Sequence, residues 1–210
     1  MRYNDFVHTV ASGSGRHKRQ DEDHFEVRRG VSWAEFQQAL EERGENSGPR
    51  MAYLEGVLEI MSPGYPHERI NGVIGCLVEV WCLEHDIEFT RLGSWTLQDK
   101  KVARAVEPDE CYAFGPPRGE GSRPDLAIEV IWTSGSIRKL EIYRKLAVRE
   151  VWIWQRGKLT VHALREDEIY EPVSESLVLP GIDLPQLAAL LDQPTTSAAI
   201  RAYRDLLRKH

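Results

Sequence analysis

Asp109 and Glu129 are the residues of this chain whose spacing points most directly to chemistry. Glu107-Pro108-Asp109-Glu110 opens one strand-like segment, and Pro124-Asp125-Leu126-Ala127-Ile128-Glu129-Val130 opens the next. The Gly/Pro-rich stretch from Gly115 to Arg123 lies between them. Asp109 and Glu129 are equally far from Gly119, so a symmetric antiparallel hairpin sets them opposite each other. Opposed residues share a sheet face, with Cα atoms roughly 4.5–5.5 Å apart. Like charges so placed destabilise a ladder, and a cation between them removes the conflict. A divalent metal is the first candidate.

With a lysine beside them, two such carboxylates suit phosphodiester hydrolysis. That reaction needs a metal to activate water and to neutralise charge building on the phosphorane oxygens. Hard oxygen ligands from one or two carboxylates suit magnesium (or manganese), which keeps several waters for the purpose. Lys139 is the best-placed lysine. It opens the helix after the Glu129 strand, and Ile142, Tyr143 and Leu146 follow at i+3, i+4 and i+7, which turns it partly toward the sheet. Lys145 stands four residues after Glu141, an arrangement that belongs on a solvent face.

The neighbouring polar residues have blander roles available. Asp125 stands four residues before Glu129, about 13 Å away along a strand, too far to share one ion. It is expected to shape the start of its strand. His67 begins the inward stripe of a helix; it reads first as a satisfied core or capping histidine, and second as a hydrogen-bonding partner of substrate or metal-bound water. Glu55, beside Gly56, reads as a turn residue before it reads as a catalytic acid. Glu110 should face away from Asp109, and Glu107 lies ahead of the strand. Trp132, Trp152 and Trp154 could stack bases, but strand tryptophans are more often core.

The elements that must position these residues are legible in outline. Ser32 with Glu35 forms a capping box for a helix from Trp33 to about Arg43. The segments 50–54 and 57–61 flank Glu55-Gly56, a two-residue hairpin signal. Ile70, Val73, Ile74, Leu77 and Trp81 make one apolar stripe of a helix from His67 to about His85. A strand over 88–97 precedes the two proline-led strands. A helix over 135–147 and a hairpin of 150–154 with 158–164 follow them. The remainder reads as a lightly structured cap and a terminal amphipathic helix from Ala198 to about Lys209. Interspersed helices and hairpin-linked strands indicate a mixed, mostly antiparallel central sheet flanked by helices.

Composition bounds the rest. The chain has 210 residues, enough for one domain with a substantial core. No apolar run approaches the roughly 20 residues of a membrane span. Cys76, Cys82 and Cys111 form no CxxC pair, which together with the polar first thirty residues points to a cytoplasmic protein without disulfides. A net charge of −6 argues against broad, non-specific nucleic-acid binding. A local basic stretch runs from Arg138 to Lys158, where the acids are Glu141 and Glu150. It reads first as an ordinary solvated helix face.

Taken in order, these segments resemble the PD-(D/E)XK nuclease superfamily and, within it, the Uma-two-type restriction-endonuclease family. The matching stretches run from Tyr53 to Pro63, His67 to Ile70, Glu107 to Glu110, Pro124 to Ser134, Lys139 to Tyr143 and Arg149 to Trp154. The resemblance implies a restriction-endonuclease-like α/β fold, metal ligation by Asp109 and Glu129, and a basic residue from the following helix at Lys139. Many members of the superfamily carry Glu-X-Lys on the Glu129 strand; here Val130-Ile131 follow. Relatives often have Asp just before the helical lysine; here it is Arg138.

The expected protein is therefore a magnesium- or manganese-dependent endonuclease acting on nucleic acid, DNA before RNA, with no membrane partner. Its domain is expected over 29–195, after a mobile segment 1–28 and before a terminal helix in 196–210. Two rivals stand beside it. One is a catalytically inactive module of the same fold that binds nucleic acid or protein. The other is a self-associating structural protein, a homodimer built on its tryptophans and terminal helix.

Overall fold

The structure, a computed structural model, describes residues 22–44, 48–116, 118–119, 122–132 and 138–208. Its first half runs β1 (His24–Arg29), α1 (Trp33–Arg43), β2 (Arg50–Leu54), β3 (Val57–Ser62), α2 (Tyr65–Glu84), β4 (Phe89–Arg91), β5 (Leu97–Asp99) and β6 (Arg104–Val106). The second half runs β7 (Glu110–Phe114), β8 (Leu126–Ile131), α3 (Lys139–Lys145), β9 (Glu150–Gln155), β10 (Lys158–Leu164), β11 (Tyr170–Val173), α4 (Leu184–Ala189) and α5 (Thr196–Leu207). The strands form two sheets, in the orders β1-β3-β2-β6-β5 and β11-β10-β9-β8-β7-β4. Mixed, mostly antiparallel pairing flanked by helices is as expected, but the strands divide between two sheets.

Turn chemistry sets both predicted hairpins. Glu55 and Gly56 take left-handed backbone, with φ of 47° and 86°, as a two-residue hairpin turn of the primed kind requires. Arg156 and Gly157 repeat this between β9 and β10, at 50° and 79°. The pairing of β8 with β9 is parallel, so the chain needs a crossover, and α3 supplies it. That crossover lays α3 across one face of β8. Ala127 and Val151 on that face bury Ile142, Tyr143 and Leu146. The opposite face, carrying Ile128, Val130, Trp152 and Trp154, packs on Ile74, Leu77 and Trp81 of α2 and on Tyr203 of α5.

Around α1 the reading holds: Ser32 Oγ accepts from the Glu35 N–H at 3.2 Å, and Glu35 accepts from the Ser32 N–H at 2.7 Å.

Five expectations are corrected. Residues 24–28, assigned to a mobile segment, lie in β1, whose register runs from His24 opposite Ser62 to Arg29 opposite Val57; residues 1–21 lie outside those described. The strand expected over 88–97 is broken. Phe89–Arg91 joins β7 and Leu97–Asp99 joins β6 in the other sheet, with Gly93 at φ 63° in the stretch that changes sheets. Lys145 lies on the solvent face as expected, but its partner is Glu168 at 3.5 Å rather than Glu141, which Arg144 takes at 3.0 Å. The lightly structured cap contains β11 and α4. The terminal helix is not a separate unit, since Ala199 and Tyr203 enter the main core and Arg204 bonds Glu84 at 2.7 Å. Of the helix expected over 135–147, residues 135–137 lie outside those described, and α3 begins at Lys139. Among the described residues no helix is long and apolar enough to cross a membrane.

Candidate active site

The β7–β8 register pairs Glu110 with Ile128, Cys111 with Ala127 and Tyr112 with Leu126. Carried back one residue, it sets Asp109 opposite Glu129, as the equal spacing from Gly119 implies. Asp109 Oδ2 accepts from the Val130 N–H at 2.7 Å, which ties its carboxylate to the neighbouring strand. Both acids are buried, at 3% and 2% exposure.

Cationic side chains from three other elements converge on this pair. Lys139, the first residue of α3, places Nζ 2.6 Å from Glu129 Oε2. The Tyr143 hydroxyl, one turn on, donates to Glu129 Oε1. His67, in the first turn of α2, holds Nε2 2.9 Å from Asp109 Oδ2 and Nδ1 3.1 Å from Asp23 Oδ2. Arg50, at the start of β2, reaches Asp109 Oδ1 at 3.2 Å and Glu68 at 2.9 Å. Asp23 in turn accepts from the Gly64 N–H at 2.9 Å. A Cβ at Gly64 would lie 2.9 Å from the Glu22 carbonyl carbon. Glycine is therefore what lets the lead into β1 lie against the start of α2.

The electrostatics separate the two acids. Burial favours the protonated form of each. For Asp109, His67, Lys139 and Arg50 outweigh burial, and its pKa is lowered. For Glu129, burial together with the charge on Asp109 outweighs Lys139 and Tyr143, and its pKa is raised. Burial opposes the charge on Lys139, but Glu129, Asp109 and Glu59 raise its pKa, so it stays an ammonium. His67 follows the same logic: burial lowers it, the two flanking aspartates more than compensate, and its pKa reaches about 9. A pair of titratable groups pushed in opposite directions marks a site able to divide acid and base roles.

A cavity of about 430 Å³ opens on Glu129, with Asp109 enclosed behind it; its wall includes Glu59, His67, Glu129 and Lys139 beside Met61 and Val151. The donor chemistry fits a hard divalent cation. Asp109 Oδ1 is buried and accepts no hydrogen bond, its nearest cation being Arg50 at 3.2 Å, and an ion would share the Glu129 oxygens with Lys139 and Tyr143. Among the described residues no three or more His, Cys, Asp or Glu side chains are grouped to hold a metal. An ion held by two carboxylates alone would keep several waters, as magnesium does.

The other residues weighed from sequence lie elsewhere. Asp125 accepts from the Phe114 N–H at 2.8 Å and pairs with Arg118 and Arg149, shaping the start of β8. Glu55 holds its turn and bonds Arg104 at 2.6 Å. Glu107 takes Arg43, Thr96 and the Met51 N–H, and Glu110 takes Arg91. His67 belongs to the centre, not merely to the core. Sequence reasoning missed Arg50, Asp23 and Glu59. Glu59 had a signal: an acid inside Val57-Leu58-Glu59-Ile60-Met61, on the face shared by Val57 and Met61.

A solved structure from Anabaena variabilis ATCC 29413, described as "a putative nuclease belonging to DUF820", is similar to this chain. The TM-score is 0.48 and the identity 15%, over 82% of this chain and 99% of that one. No curated protein matches. A match to the family Uma2, described as "Putative restriction endonuclease", spans residues 33–193 and takes in Arg50, His67, Asp109, Glu129 and Lys139. This chain belongs to the Uma2 restriction-endonuclease family.

Proposed function

We propose that the chain is a metal-dependent endonuclease that hydrolyses DNA phosphodiester bonds. In this reading Asp109 and Glu129 hold magnesium or manganese, and Lys139 orients the attacking water. The observation that carries it is the opposition of two buried carboxylates on neighbouring strands, with the Lys139 ammonium 2.6 Å from one of them at a cavity wall. When bound, the ion supplies a Lewis acid and an activated water.

The chain's own residues do the rest. The Val130 N–H and His67 hold the Asp109 carboxylate in one orientation. Asp23 fixes the far nitrogen of that imidazole, as outer partners of a ligand set commonly do. Lys139 keeps its proton, so it acts through charge and hydrogen bonding on water or on the phosphoryl oxygens, not as a general base. Arg138 lines the same cavity and offers a second positive charge to a phosphate backbone.

The test is cleavage of plasmid and single-stranded DNA with magnesium or manganese, by the wild type beside Asp109→Ala and Glu129→Ala. The expected result is metal-dependent cutting that falls more than about 100-fold in either variant. Cutting unaffected by both substitutions would refute the assignment. A wild type that binds DNA but never cuts it would favour the inactive binding module.

A further inference from the structure

Resting on the nuclease reading, we infer that Tyr65, Trp132 and Trp154, with Arg69 and Arg156, form a stacking platform for a single-stranded stretch of DNA beside the cleavage centre. Exposed aromatics gathered at one place mark interaction sites, where single ones do not. Tyr65 is 67% exposed and Trp132 42%. Both border a second cavity, of about 600 Å³, whose wall includes Trp154, Arg69 and Arg156.

The geometry suits flat, electron-rich ligands. Trp132 lies parallel to Trp154, with ring centroids 5.7 Å apart and 4° between planes. The inner indole is buried in the core and backs the outer one, so a ring face is presented rather than a mobile side chain. The Trp154 indole N–H is buried without a hydrogen-bond partner. Arg69 donates to the Gln193 carbonyl at 2.6 Å, which fixes its guanidinium at the rim. Asp192 is the carboxylate in this wall, set against the two arginines. Aromatic faces interleaved with guanidinium groups recognise bases by stacking and the backbone by charge.

Position ties the platform to the chemistry. Trp132 follows Glu129 by three residues, about 10 Å along the chain, just past the end of β8 and on the opposite face of the sheet. Tyr65 precedes His67 by two residues in the same helical turn. Ile131 belongs to the walls of both cavities. A strand leaving the cleavage centre past the end of β8 meets the aromatic faces within a few nucleotides. Base faces are free to stack only where the duplex is open, which selects a single-stranded segment over continuous duplex.

The test is fluorescence anisotropy in chelator with the full chain. The probes are a labelled oligothymidylate of about 16 nucleotides and a duplex of equal length. Expected is tighter binding of the single strand, weakened roughly tenfold by Trp132→Ala or Tyr65→Ala, the loss of about one base–aromatic stack. Trp132→Phe should lose little, and duplex binding should not move. Unchanged single-strand binding in folded Trp132→Ala and Tyr65→Ala overturns the platform, and does so alone if cleavage still depends on Asp109 and Glu129. A drop in single-strand binding supports the platform even if cleavage ignores those two acids, in which case the nuclease assignment fails instead. A change in mass by light scattering on Trp132→Ala, with single-strand binding intact, makes this face a self-association surface and overturns the proposal.

Discussion

Glu150 and the Asp109–Glu129 pair are all buried acids, yet they are neutralised in opposite ways. Glu150 is fully enclosed and accepts from Trp152 Nε1 at 2.6 Å, Ser176 Oγ at 2.6 Å and the Leu177 N–H at 2.7 Å. Its partners are neutral, and its surroundings are closed. Asp109 and Glu129 are balanced largely by the charges of Arg50, His67 and Lys139, and a cavity opens on Glu129. Burial alone therefore does not mark a functional acid. What marks one is balance by charged side chains from separate elements, next to space that a ligand can enter.

Lys139→Met should break that distinction most visibly. Loss of the ammonium should slow DNA cleavage on the order of 100-fold, while divalent-ion binding persists or tightens because nothing else competes for Glu129 Oε2. Parallel cleavage rates and metal titrations separate the two effects; metal binding lost along with activity would make Lys139 a structural counter-ion.

Glu150→Ala probes the other side. It strands two buried donors, Trp152 Nε1 and Ser176 Oγ, and a half-buried N–H, and should destabilise the fold by about 3 kcal/mol in urea unfolding. Activity per folded molecule should stay close to the wild-type value. Equal stability would show that the enclosed acid is replaceable.

Asp23→Ala is expected to fall between these. It frees the far side of His67 and should weaken metal affinity and cleavage roughly tenfold, with Asp23→Asn recovering part of both. Loss of thermal stability without any change in metal affinity would reduce Asp23 to a fold-stabilising contact.

The smallest expected effect concerns the thiols. Burial pushes Cys82 and Cys111 up to about 12 and raises Cys76 as well. Because the thiolate is the reactive form, a raised pKa means slow alkylation at pH 8. A thiol reagent should titrate three cysteines in denaturant and almost none promptly in the native protein. Fast native reaction at Cys111 would mean that the strand next to Asp109 opens readily.

Much of this comparison was legible in the sequence, for local reasons. The symmetric hairpin put Asp109 opposite Glu129 by counting. The Ile142-Tyr143-Leu146 stripe turned Lys139 inward, and the capping box and primed turns declared their elements. Long-range assembly was not legible. Arg50, Asp23 and Glu59 reach the centre because β1, β2 and β3 share a sheet that packs against α3, and no local periodicity encodes that docking. Strand β1 has every residue exposed, so it lacks alternation and depends on backbone pairing with β3. Strand β11 is a short edge carrying Pro172, which weakens any strand signal. Trp132 was read as core by type, and its exposure follows from lying just beyond the last residue of β8.

The central claim is that Asp109 and Glu129 together hold a divalent ion. Calorimetric titration of manganese or magnesium into the wild type, Asp109→Ala and Glu129→Ala tests it most directly. The wild type should give a binding isotherm that weakens more than about 100-fold in each variant. An isotherm unchanged in both variants would contradict it.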